Sequence, residues 1–350
     1  MECALRWGIV LVVRNFPGRQ ELEVSLDGRS SGAINYPGLT GPCQPGDKVL
    51  LNTTARELEL GTGGWHYVLA VSGRERSLST QGHIMKLRYT PLQGRVLSVE
   101  EEASPHHQIM AAADCLEGLP VAVGSLHSLL APLAWGVQAL KGGKRLAYLM
   151  SDGAALPIFF SQTVPVLKDM GLITRTITFG HAFGGDLEAV NIYSALLAAK
   201  HVVGADFALV TMGPGVVGTG TAWGTTALEQ GIFLNAVHQL GGTPVVVPRL
   251  SEGDGRKRHA GLSHHTATVL SRIVRDPIWL PLPLYFEPFL APEHEGLFAR
   301  HRLRWEDTHD LFLGLADSGL PLSTMGRGVN ADPLFFHGAL AAALTLTANL

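Results

Sequence analysis

Four times between residues 124 and 221 the chain runs an apolar, strand-like segment into a cluster of Gly, His, Asp, Ser and Thr, and then into a helix-like segment. The clusters are Gly124–Ser128, Ser151–Pro157, Thr178–Glu188 and Thr211–Thr221. Such alternation predicts parallel strands joined by helices. Parallel strands share one carboxyl edge, where polar groups from distant parts of a sequence can line a single crevice. A small-molecule site on that edge is the expectation.

The period changes along the chain, and two domains are expected from it. Residues 1–103 read as a small all-β, barrel-like domain. The signs are alternation in Glu21–Leu26, the turn pair Asp27-Gly28, and Gln44-Pro45-Gly46-Asp47 leading into Lys48–Leu51, with a further strand at Val96–Val99. Residues 104–350 read as a Rossmann-like α/β domain, a parallel sheet with helices on both faces. Its strands are expected at Pro120–Val123, Leu146–Met150, Thr174–Phe179, Phe207–Met212, Pro244–Val247 and Ile278–Leu280. Helices are expected at Leu129–Leu140, Pro157–Met170, Leu187–Val203, Thr225–Leu240 and His264–Val274, then near Trp305–Asp317 and Pro333–Thr347.

Composition narrows the partners. Of 350 residues 46% are hydrophobic, enough for a substantial core. Charged residues are 16%, below the typical figure of about 25%, which leaves room for a homo-oligomer interface. A net charge of −3 supplies no general basic field, so nucleic acid is disfavoured as a partner. Cys3, Cys43 and Cys115 form neither a disulfide framework nor a metal knuckle, and no signal-peptide pattern precedes them, so the cytoplasm is the expected compartment. The uncharged stretches Gly118–Leu140 and Phe207–Leu228 are each broken by Gly, Pro and Ser or Thr. They read as strand, turn and helix, not as membrane spans.

Candidate chemistry gathers in the clusters. Gly213-Pro214-Gly215-Val216-Val217-Gly218 matches G-x-G-x-x-G after a strand, where Gly213, Gly215, Gly218 and the neighbouring Thr219 would let backbone N–H groups approach a phosphate. The next strand ends at Pro248-Arg249 without an acidic ribose ligand, so a dinucleotide reading would need Arg249 to meet a 2′-phosphate. Asp152, His127, His181 and Asp186 are candidate acids, bases or metal ligands. Three of them have a plain alternative: Asp152 as a turn residue, His127 as a hydrogen-bonded structural histidine, Asp186 as a helix cap. The stretch 249–266 adds Arg249 and Arg256 as anion clamps, with His264 and His265 beyond them. Neighbours on a helix do not share a face, so those two histidines are not expected to meet one ligand once the helix has begun. Arg327, between Gly326 and Gly328, reads as a turn.

Gly82–Gln93, Ser151–Pro157, Gly180–Glu188, Met212–Thr221 and Ser263–Thr266 resemble blocks of an uncharacterised bacterial family, domain of unknown function 3866. The resemblance runs from Asn35-Tyr36-Pro37 to Thr324-Met325-Gly326-Arg327. It implies a bacterial cytosolic protein and carries no activity, cofactor or catalytic residue with it. Three readings follow from the residues themselves. The first is an enzyme, a hydrolase or group transferase, that binds a phosphorylated or anionic small molecule, with a divalent metal as an open cofactor. The second is a non-catalytic metabolite sensor or nucleic-acid-associated binding protein. The third is an NADP-dependent oxidoreductase.

Overall fold

The computed structural model describes residues 2–59, 64–78 and 81–348. The chain forms two compact units, Met1–Val96 and Leu97–Leu350.

In the first unit β1 (Leu5–Phe16), β2 (Arg19–Leu26), β3 (Arg29–Asn35), β4 (Lys48–Asn52) and β5 (His66–Val71) close into a barrel in the order β1-β2-β3-β5-β4. The β3–β5 pair is parallel and the other pairs are antiparallel. Asp27 (φ 48°) and Gly28 (φ 78°) both take the left-handed backbone that a tight hairpin between right-twisted strands demands. Val10, Val24, Ala33, Val49 and Leu51 fill the barrel. A groove of about 320 Å³ on its outside presents Glu21 and Glu23 beside Arg14 and Arg56, a mixed field with no single sign. The short hairpin β6 (Ile84–Lys86) and β7 (Gly94–Val96) follows, so the expected strand at Val96–Val99 lies earlier than the sequence suggests.

The second unit is built on β8 (Pro120–Gly124), β9 (Leu146–Ser151), β10 (Arg175–Phe179), β11 (Leu187–Ala189), β12 (Phe207–Met212) and β13 (Thr243–Val247). A small antiparallel pair, β14 (Leu250–Ser251) and β15 (Gly261–Leu262), precedes β16 (Trp279–Pro283) and β17 (Arg302–Glu306). The main sheet has the order β11-β10-β9-β12-β8-β13-β16-β17, and every neighbouring pair is parallel. Its middle strands are buried along their whole length, as a sheet covered on both faces requires. Side chains alternate between two cores: Val121 and Val123 join one, and Ala122 joins the other. The helices 192–202, Glu229–Gln239 and 264–273 cover the first face; Leu130–Leu140, Thr163–Asp169 and Pro333–Thr347 cover the second. Among the described residues no helix is long and apolar enough to cross a membrane.

The last helix is nearly all buried, and it approaches Leu130–Leu140 closely because Gly136 has no side chain. A Cβ there would stand 2.8 Å from the Ala343 Cβ and 3.1 Å from Leu340 Cδ2. Gly136→Val is expected to destabilise the unit by about 1–3 kcal/mol through overpacking, read as a lower midpoint in urea at an unchanged slope.

Strand order sets the crevice. The chain leaves β9 toward β10 and leaves β12 toward β13, in opposite directions from adjacent strands; β8 and β13 diverge in the same way. Diverging connections open a cleft at the carboxyl edge.

Two expectations change here. The segment expected as a helix from Leu187 first adds the edge strand β11 beside β10, and the helix begins at Ile192 with Asn191 as its cap. The segment expected as a helix from Trp305 begins as β17 and turns helical only at His309–Ala316. Both strands are short edge pieces flanked by polar residues, so no apolar run announces them.

Candidate functional site

At the end of β9, Ser151 Oγ donates to Glu229 Oε1 at 2.6 Å, and Asp152 Oδ2 accepts from the His181 N–H at 2.7 Å. Two glycines make these approaches possible. A Cβ on Gly153 would lie 2.5 Å from Glu229 Oε1, and one on Gly180 would lie 2.4 Å from Asp152 Oδ2. Burial, together with the Asp152 carboxylate nearby, pushes the Glu229 carboxyl up to about 7, so it gains and loses its proton near neutrality. Gln230, next along, ties two strand ends together by donating to the carbonyls of Val123 and Val247. Nothing local in the sequence marks Glu229, since a glutamate opening a helix is ordinary.

The glycine-rich segment does not open a helix. It folds back through a bridge between Gly218 and Thr225, held by Thr219 N–H to Gly224 O and Thr226 N–H to Val217 O. Helical structure resumes only at Thr226. Packing accounts for its glycines: a Gly213 Cβ would meet Ala155 O at 2.5 Å, and a Gly218 Cβ would meet the His265 ring at 3.0 Å. Gly215 has φ 115°, open to glycine and costly for other residues. Thr219 is engaged within the turn, its hydroxyl donating to Gly224 O. One end of this loop therefore rests on the segment after Asp152 and the other on a histidine ring.

That histidine belongs to a second group of residues beyond β13. β14 and β15 form a hairpin whose loop carries Asp254, Arg256, Arg258 and His259. Asp254 accepts from Arg256 Nε at 2.9 Å, and its other oxygen lies 3.3 Å from the buried Arg249. The guanidiniums hold its carboxyl far below the usual carboxylate range, while burial lowers Arg249 to about 10. Asp332 fastens the hairpin from the last helix. It accepts from the Ser251 hydroxyl and Arg327 Nε through one oxygen, and from the Glu252 and Gly253 N–H groups through the other. Arg327, expected as a mere turn residue, is thus part of the charged framework.

Arg249, Arg256 and Arg258 line a cavity of about 110 Å³ with Gly218, Gly220 and the rings of His259 and His265. This is smaller than the ~300–1,000 Å³ of pockets for drug-sized ligands, a size for one anionic head group. His264 and His265 do converge, contrary to the helical-face argument. Their ring centroids are 4.3 Å apart and each is 4.9 Å from that of His259. They are the first two residues after the Ser263 cap, so both rings can turn toward His259, which arrives from the hairpin loop. Nitrogens of the three lie within 4.8 Å of one another, a group able to hold a metal ion. Burial first, and then neighbouring cations, keep the rings neutral: His259 falls to about 3, His265 to about 4, and His264 also falls.

Of the two other candidates, His127 stands just beyond the carboxyl end of β8 with its ring already engaged, and Asp186 lies at the other end of the sheet. His127 has both ring nitrogens engaged, Nδ1 with the Tyr148 hydroxyl at 3.0 Å and Nε2 with Ser161 Oγ at 2.7 Å, and burial lowers it to about 4. Asp186 stands beside Thr176 at the opposite, amino-terminal end of β10, accepting from its N–H and from Lys168. The sequence places it at the crevice because residues 178–188 read as one strand-end loop; the loop instead doubles back before β11.

A family model described as protein of unknown function (DUF3866) matches residues 32–343. No curated protein and no solved structure matches the chain.

Proposed function

The chain belongs to the DUF3866 family of unknown function, a membership that prescribes no chemistry, and from the site's own groups we propose that it is an enzyme acting on a phosphorylated or otherwise anionic small molecule. The observation that carries this is the cavity where Arg249, Arg256 and Arg258 face the glycine loop. Arginines offer forked, charge-assisted bonds to phosphate or carboxylate oxygens. Charge recognition rests on them more than on loop amides, since the Thr219 N–H is already used within the turn. Across the same loop, Glu229 with its raised pKa is a general acid and Asp152 a base or nucleophile. Hydrolysis or group transfer suits that pair. Hydride transfer suits it less, because the glycine segment opens no helix for a pyrophosphate. His127 and Asp186 fall outside the reading. The free cysteines Cys3, Cys43 and Cys115 suit a reducing cytoplasm.

Calorimetric titration with inorganic phosphate and pyrophosphate tests the anion site. Arg256→Ala and Arg258→Ala are each expected to weaken binding about tenfold, the scale of one charged hydrogen bond. Equal affinity in both variants would remove the assignment. Mass spectrometry of small molecules retained by the native protein then identifies the substrate class.

A further inference from the structure

We infer that His259, His264 and His265 form a three-histidine site for a divalent transition-metal ion of the zinc class, bordering the anion cavity. The inference rests on the anion-site reading for its role and on separate observations for its existence. His264 Nε2 and His265 Nδ1 are both buried without a hydrogen-bond partner. Buried polar atoms are rarely left so, and each specific case asks for a bound group. His259 has its Nδ1 fixed by Ser263 Oγ at 2.8 Å, which orients the ring and leaves Nε2 as its outward nitrogen. A hydrogen bond to the nitrogen that faces away from the ion is what fixes metal-binding imidazoles in place.

The geometry lies within reach of coordination. Tetrahedral ligands at about 2.1 Å from an ion stand roughly 3.4 Å apart, so the widest pair, within 4.8 Å, closes by at most ~1.4 Å. Two of the rings sit on the short helix after Ser263 and one on the single 3-10 turn Lys257–His259, so the closing is shared between two short segments. The adjacent arginines oppose a cation, and the site answers this in two ways. Asp254 binds both Arg249 and Arg256. The fourth position of an ion on His259 and His265 borders the cavity those rings line, where an anionic oxygen would bridge metal and guanidinium. Three imidazoles with one open position is the arrangement of a catalytic ion, not of a closed structural one.

The test uses the full-length protein, stripped with chelator and titrated with cobalt(II) alone in a buffer free of phosphate. One equivalent is expected to bind with the visible absorption of tetrahedral cobalt. His259→Ala and His264→Ala should each weaken it about tenfold or more, and His201→Ala, a histidine bonded to the Cys115 carbonyl, should leave it unchanged. Should His259→Ala fail to fold by circular dichroism, His264→Gln reads the same contact at a partly exposed ring. Absence of stoichiometric cobalt binding, or binding untouched by the His264 variants, overturns the site. Phosphate titration of the stripped protein separates the two ideas. Phosphate bound without any metal site sinks this inference alone, and cobalt bound without phosphate affinity sinks only the anion reading.

Discussion

Asp332→Ala is expected to destabilise the second unit by about 3–5 kcal/mol, the scale of breaking a buried ionic network by deleting one partner. The carboxylate is fully buried and accepts from four groups at once: the Ser251 hydroxyl, the Glu252 and Gly253 N–H groups, and Arg327 Nε. Truncation leaves all four without that acceptor. Asp332→Asn keeps an acceptor oxygen for the amides and loses the charge opposite Arg327, so its loss should be about half as large. Denaturant unfolding followed by intrinsic fluorescence gives both numbers. Phosphate affinity should fall with them, because the turn that Asp332 holds begins the loop carrying Arg256 and Arg258. A loss below about 1 kcal/mol would show that the hairpin is held elsewhere.

Glu229→Gln should change the pH dependence of stability more than its value in acid. The folded carboxyl is raised from 4.5 to about 7, mainly by burial, so the folded state holds a proton that the unfolded chain has already released. That contribution is complete below pH 4.5 and is lost as pH rises through about 7. Across this window the native protein should lose up to about 3 kcal/mol that the glutamine variant keeps. The variant and the native protein are therefore expected to match near pH 4 and to separate above pH 7, the variant being the more stable. Glutamine preserves the contact with Ser151, so the comparison isolates the ionisation. If turnover of an identified substrate uses this proton, the native rate falls above pH 7 and the variant's rate is low throughout. Parallel stability curves would rule out a raised carboxyl.

The frame of the second unit is legible in the sequence where strands are long and buried. Val121 to Val123 and Leu146 to Met150 are uninterrupted apolar runs, Phe207 to Met212 is broken only by Thr211, and the structure has a central strand at each. Legibility fails at the edges: Leu187–Ala189 and Arg302–Glu306 are strands by virtue of their neighbours' hydrogen bonds, which no local pattern encodes. The site divides along the same line. Asp152 and Arg249 follow strand ends directly, so counting along the chain reaches them. Glu229 and Asp332 enter by long-range hydrogen bonds to Ser151 and Ser251, partners that only the folded chain brings near, whereas Asp254 meets Arg249 from within the same short stretch. His264 and His265 occupy a helix start, where the separation of neighbouring side chains that holds in a helix interior relaxes.

The hairpin's fastening also has a chronology. Ser251 and Asp332 are separated by 81 positions along the chain. During synthesis the arginine-bearing turn leaves the ribosome well before its anchor exists, and a nascent chain that stops short of Asp332 lacks the carboxylate that ties down the start of that loop. If the arginine-lined cavity takes an anion as proposed, capture waits until Asp332 has been translated and docked, even when most of the sheet has formed.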